Sequence, residues 1–246
     1  MSKEVTVYWA PQVTWEVGVL GEWSMLYPEP TNLFNDLVKL RQPDAGSKTF
    51  LSCPSSSKEF RNSFVFKNEL DSHYAYDFTD DKQDLFPVSQ TYLNAEVRRN
   101  PTISTGPLIN INLYYIFFAE ESLIASFTPP MMHEPNYTKY GTVIPGKFDI
   151  GQWFRPYPLE MQMWHDKGEL ILKEDEPLFY VNFETEQKIN LKRFKYNATL
   201  HSYADHCSNT AKVWGMGVPL EKRYQRFKQS KMREMVLKEI KANILE

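Results

Sequence analysis

Between Thr49 and Lys195 the chain is a close succession of short apolar or alternating runs, each stopped by turn residues, with no helix-period segment between them. This constrains the fold more than any other feature. Parallel strands need crossovers of a dozen or more residues, usually helices, and none is visible there. The strongest run is Leu108 to Phe118. Ile109, Ile111, Leu113, Tyr115 and Phe117 share one face by period two, while the other face changes from Asn110 and Asn112 to Ile116 and Phe118. Such a strand is exposed on one face at its start and covered on both faces at its end. Tyr74, Tyr76 and Phe78 alternate similarly, as do Phe179, Val181 and Phe183. Ala119-Glu120-Glu121-Ser122 reads as a hairpin, with Leu123 to Phe127 as the returning strand. The pattern predicts a mainly β protein built as an antiparallel two-sheet sandwich, jelly-roll-like, which buries the inner faces and shelters the edges together.

Helical signals flank this region. Leu33, Leu37 and Leu40 follow Thr31 at spacings that place them on one face, so a short N-terminal helix is expected, ended by Pro43 and Gly46. Phe50 to Cys53 reads as a short strand halted by Pro54, and Ser55, Ser56 and Ser57 as a polar turn. Thr91 to Val97 reads as a further strand. Thr199 to His206 suits a short helix, and Gly215, Gly217 and Pro219 a link. Leu220 to Leu245 then reads as one long helix, with Met232, Val236, Ile240 and Ile244 as an apolar row supported by Tyr224 and Phe227. The expected organisation is a β-sandwich domain over 1–210, including an irregular aromatic N-terminal segment, and a helical extension over 211–246 packed on it.

Composition excludes several classes. The hydrophobic fraction of 42% and charged fraction of 24% are those of a folded globular chain. Aromatics reach 15%, which suits half-buried pleated surfaces. The net charge of −3 is no nucleic-acid signature, although 211–246 holds nine Lys and Arg against four Glu. Two distant cysteines, Cys53 and Cys207, imply no disulfide framework and a reducing compartment. The N-terminus lacks the apolar core of a signal peptide, and no run of 18 uncharged apolar residues offers a membrane span.

The candidate chemistries are all incomplete. Gly141 to Lys147 fits most of a phosphate-loop pattern, but Phe148 stands where Ser or Thr must hold Mg²⁺, and a strand-like segment follows instead of a helix. The expected structure is a Gly-Pro turn between strands. His201, Asp205, His206 and Cys207 form the densest cluster of ligand types, and a metal reading assigns His201, Asp205 and His206 to a divalent ion. A metal site needs further ligands, and His133-Glu134 or His165-Asp166 are the available donors. None of the five His has an acid two residues on, the spacing that lets one strand supply two iron ligands. No Gly-x-Ser-x-Gly elbow exists. Cys53 reads as an exposed thiol, and Glu120-Glu121 as a solvated carboxylate pair at a turn.

Two binding surfaces remain. Gly151 to Pro156 places the cation Arg155 among aromatics, beside Trp153, where it can stack or receive an anion. Arg223, Arg226 and Lys231 belong to the basic face of the C-terminal helix, a face for a partner protein, self-association or, less favoured, nucleic acid. Four stretches, TFLSCPSSSKEFRNSFVF, ISTGPLI, FTPPMMHEPNYTKYGTVIPGKFDIGQWFRPYPLEMQMW and EPLFYVNFETEQKINLKRF, resemble uncharacterised proteins of large tailed bacteriophages, including phages of cyanobacteria. The resemblance runs from Leu51 to Phe227 and carries no activity over. It implies a phage product made in the bacterial cytoplasm, either free or built into the virion. The sequence thus predicts a non-enzymatic binding or assembly protein without a cofactor. The alternative is a metal-dependent enzyme of cupin or jelly-roll type with an unconventional His/Asp site.

Overall fold

The computed structural model describes residues 4–12, 27–40, 49–79, 84–88, 95–99, 106–208 and 219–245. In chain order, β1 (Glu4–Pro11) and β2 (Thr31–Asn32) lead into α1 (Leu33–Lys39). A 3₁₀ turn and α2 (Pro54–Arg61) precede β3 (Ser63–Lys67), β4 (Ser72–Asp77), β5 (Asp84–Pro87), β6 (Ala95–Arg99), β7 (Pro107–Ala119) and β8 (Ile124–Thr128). A second 3₁₀ turn precedes β9 (Gly141–Val143), β10 (Gly146–Asp149), β11 (Pro156–Met163), β12 (Lys167–Leu172), β13 (Pro177–Phe183) and β14 (Lys188–Arg193). The chain ends in α3 (Ala198–Ser208), α4 (Leu220–Gln229) and α5 (Met232–Ala242).

The strands form three sheets rather than the expected two. The first has the order β14-β1-β7-β11-β9, with β6 also on β7; the second is β10-β8-β13-β3-β2 and the third β12-β4-β5. Among the described residues the pairing is antiparallel except at one place. β1 runs parallel to β14, Glu4 facing Lys188 and Trp9 facing Arg193. The two strands are about three-quarters of the chain apart in sequence, so no hairpin dictates their direction. β7 is the hub. β11 takes one edge, while β1 takes its C-terminal half and β6 its N-terminal half on the other. The architecture is mainly β and consistent with a sandwich.

The inner faces of all three sheets meet in one core, with Trp9, Phe66, Tyr74, Ile109, Ile111, Tyr115, Phe117, Phe127, Leu170, Phe179 and Phe183. The rings pack mostly edge-to-face, as at Phe66 and Tyr115, 4.9 Å between centres. The two-sided end expected of β7 is present. Ile116 and Phe118 turn away from this core and join Tyr8, Ala10, Phe154, Phe194, Leu200, Phe227, Val236 and Ile240 under α3, α4 and α5. The helices therefore cover one end of the first sheet's outer face, as the strand pattern requires.

Three local expectations change. The segment after Ala119 is no hairpin: β7 belongs to the first sheet and β8 to the second, so the chain crosses between layers. The Phe50 to Cys53 strand is a 3₁₀ turn, and the serines after it are helical, because Pro54 occupies the first position of α2, where its missing N–H costs nothing. Thr91 to Asn94 lie outside the described residues, and the strand there begins at Ala95. The long C-terminal helix is broken at Ser230, whose backbone is extended. Nine residues separate Phe227 from Val236, about two and a half turns, so one straight helix would point them to opposite sides. The break lets both bury on the same sheet. Ser230 secures it, donating from its hydroxyl to the Phe227 carbonyl at 3.0 Å and accepting the Met232 N–H at 3.2 Å.

Candidate functional site

The layer crossing after β7 builds the frame of the site. Asp149, at the end of β10, accepts the N–H of Leu123 at 3.0 Å and of Gly151 at 2.9 Å on one oxygen, and the Ser122 hydroxyl on the other. Gly151 lies so close to the crossing that a Cβ there would fall into the Glu121 carbonyl, so only glycine fits. Arg233 of α5 reaches in, donating to the Gly151 carbonyl at 2.8 Å and to the Glu120 carbonyl. Glu120 receives the Tyr8 hydroxyl at 2.8 Å and pairs with Lys241 at 2.9 Å. Lys241 and then Tyr8 hold its carboxyl below the ordinary carboxylate range. The acidic pair therefore includes a structural clasp, which the sequence reading did not foresee.

On this frame the chain forms a cleft of about 250 Å³ lined by Gly146, Lys147, Phe148, Trp153, Arg155, Pro156, Tyr157, Pro158 and Tyr224. Three separate sequence features converge here. The near-phosphate-loop supplies Lys147 and Phe148, the Gly151–Pro156 stretch supplies Trp153 and Arg155, and α4 supplies Tyr224. The Gly-Pro turn is present as expected, joining β9 to β10 in different sheets. Lys147 and Arg155 are exposed, and Phe148 and Tyr224 half-buried. Trp153 is buried with its ring centre 3.5 Å from that of Tyr224, and its indole N–H has no partner among the described residues. Burial raises the Tyr224 hydroxyl, while the Arg155 charge opposes that rise. Lys147 makes one exposed ion pair, 3.6 Å from Glu184, which is too weak to hold it against a better anion. The cleft thus offers two exposed cations, an unspent N–H and aromatic walls. Chemically it suits an anion carrying some apolar surface.

The other candidates lie elsewhere. Arg155 does not cap Trp153 as a cation on a ring; that contact is made by Arg193, 4.9 Å over Trp9. Arg226 and Lys231 are exposed on and after α4, and Arg223 is half-buried there. Helical spacing separates Arg226 from Tyr224 by about 200° of turn, so the basic face points away from the cleft wall. His201 lies 3.5 Å from Asp205 along one face of α3, as spacing requires. His206 instead turns its Nδ1 to the Ser202 carbonyl at 2.6 Å, on the exposed side. Among the described residues no group of three or more His, Cys, Asp and Glu side chains gathers to hold a metal. His133 is spent on a latch: its Nε2 meets Asp36 of α1 at 3.0 Å and its Nδ1 meets the Tyr180 hydroxyl. No protein-family model matches the chain, and no curated protein matches its sequence.

Proposed function

We propose that this protein is a non-catalytic binding or assembly protein that captures an anionic anchor group in the Lys147–Arg155 cleft. The observation that supports this reading is the convergence of two cations, a buried unpaired indole N–H and Tyr224 on one small cavity. Size narrows the occupant. Pockets for whole small molecules run from about 300 to 1,000 Å³, and this one is about 250 Å³. It suits a carboxylate- or phosphate-bearing side chain of a partner protein better than a complete cofactor. The exposed lysines and arginines of α4 would then add long-range attraction for an acidic partner, acting more on its rate of approach than on its affinity. The phage setting belongs to the same proposal: a product made in the bacterial cytoplasm that binds a component of the particle or of its assembly.

The test is a titration of the full chain with phenyl phosphate and with a short acidic, aromatic peptide, followed at the Trp153 indole N–H by NMR. Saturable shifts that Lys147→Ala and Arg155→Ala each weaken about tenfold, the loss of one charge-assisted bond, support the reading. An indole resonance that stays still with both probes overturns it. Reproducible turnover dependent on a metal or nucleotide would replace it with the enzyme reading.

A further inference from the structure

The outer face of the second sheet carries a polar row beside α2. Cross-strand register lines up Lys147 of β10, Ser126 of β8, Asn182 of β13 and Ser63 of β3. Their neighbours Ala125, Phe127, Val181, Phe183 and Phe64 belong to the main core, so alternation sets this row on the opposite face. Two cavities open over it. One, of about 510 Å³, is lined by Ser55, Lys58, Glu59 and Asn62, which share one side of α2 and its end. The other, of about 290 Å³, is walled by Leu33, Phe60, Met131 and Tyr180. Glu59, Asn182 and Glu184 line both, so the two join as one groove. Its size lies in the range of sites that take whole small molecules. Its walls are fixed. The Glu59 carbonyl, in the last turn of α2, accepts from the Asn182 amide at 3.0 Å and from the Ser63 hydroxyl at 2.8 Å. Tyr180 is held by His133, which is itself paired with Asp36.

The hydrogen bonds already made decide what the groove can recognise. Asn182 spends its two amide hydrogens on the Glu59 carbonyl and on Ser63 Oγ, 2.9 Å away, which leaves its carbonyl oxygen for a ligand. Ser126 donates its hydroxyl hydrogen to Glu184 at 2.7 Å, so it too can only accept. With the carboxylates of Glu59 and Glu184, the groove presents mainly acceptors and selects a ligand rich in donors. Charge narrows the class. Glu59, Glu184 and Glu186 oppose an anion. Lys58, 3.1 Å from Glu186, and Lys147, 3.6 Å from Glu184, balance two of these three carboxylates and oppose a cation. A neutral polyol meets both conditions, its hydroxyls donating to the floor and its C–H faces lying on Phe60 and Met131. We propose that this groove is a binding site for a neutral saccharide, separate from the anion cleft.

Titration of the full chain with glucose, galactose, N-acetylglucosamine, maltose, lactose and chitobiose, followed at the Asn182 side-chain amide by NMR, tests this. The expected result is a saturable shift that Glu59→Gln weakens about tenfold, the loss of one charge-assisted bond. Glu59 is exposed and secures the fold through its backbone carbonyl, so this variant keeps the structure. A disaccharide preferred over its monosaccharide identifies a glycan chain as the source, and equal affinity a free sugar. Arg155→Ala, which weakens the anion cleft, should leave saccharide binding unchanged, so the two sites stand or fall separately. The inference is overturned if no sugar shifts the amide, if Glu59→Gln leaves the binding as it was, or if the dication putrescine binds more tightly than every sugar.

Discussion

Glu69 is a carboxyl group placed where the chain otherwise puts rings. Burial raises it from 4.5 to about 7, while the Tyr27 hydroxyl bond opposes the rise. The Tyr115 hydroxyl is raised too, by burial first and by the Glu69 charge next, with Arg193 opposing. Between pH 4.5 and 7 the folded chain retains a proton on Glu69 that the unfolded chain has released. Stability should therefore fall as pH rises through that window, by about 3 kcal/mol in all, and be flat in this contribution above it. Urea midpoints at pH 5 and pH 8 read the effect, and Glu69→Gln should remove most of the difference. The two cysteines differ at the same scale. Cys53 is exposed, and the N–H groups of Ser56 and Ser55 hold its thiol below the ordinary value; Cys207 is buried, which pushes its thiol up to about 12. Alkylation at pH 7 followed by mass spectrometry should add a single label, at Cys53. Equal labelling of both would mean that α3 opens readily.

The C-terminal helices were readable as helices but not as two. Met232, Val236 and Ile240 form the expected row, and Val236 and Ile240 are fully buried, while Ile244 packs on the same cluster from beyond the end of α5, bridged to Phe194. Helical spacing sets Phe227 about half a turn and Tyr224 about a third of a turn from Val236, and that mismatch was the available signal for the break. Ile240→Ala should cost about 2–5 kcal/mol in denaturant unfolding, because its face is sealed against the first sheet. Ser230→Ala should cost about 1 kcal/mol, having only the capping bonds to lose. Arg233→Ala removes the donor for two carbonyls of the layer crossing. It should destabilise by about 1–3 kcal/mol and also weaken anion binding at the cleft, which Ser230→Ala should leave alone. Titration of the cleft in both variants separates the two roles. At the other end of the chain, α2 was hidden because a proline after an apolar run signals equally a strand stop and a helix start.

For the whole molecule, the last helices complete the fold. Residues 219–245 supply Phe227, Val236 and Ile240 to the cover over Ile116, Phe118 and Phe154. A chain ending at Ser208 would expose that apolar face, and it should aggregate or bind a hydrophobic dye where the full chain does not. The cleft depends on the same assembly, since Tyr224 of α4 forms one of its walls.

Alternation of apolar residues determined, from the sequence alone, that the protein is mainly β and that β7 is two-sided at one end. Those properties follow from the period-two geometry of a strand, which each segment expresses locally. The number of sheets, the parallel pair of β1 with β14 and the crossing after Ala119 were decided only by tertiary structure, since pairing joins residues whose separation in sequence carries no record of their contact. The cleft follows the same division. Lys147, Trp153 and Arg155 were each notable as residue types, but only the frame of Asp149, Gly151 and Arg233 brings them to one cavity with Tyr224. Glu69 carries no distinguishing mark in the sequence, because burial is a property of what surrounds a residue in space.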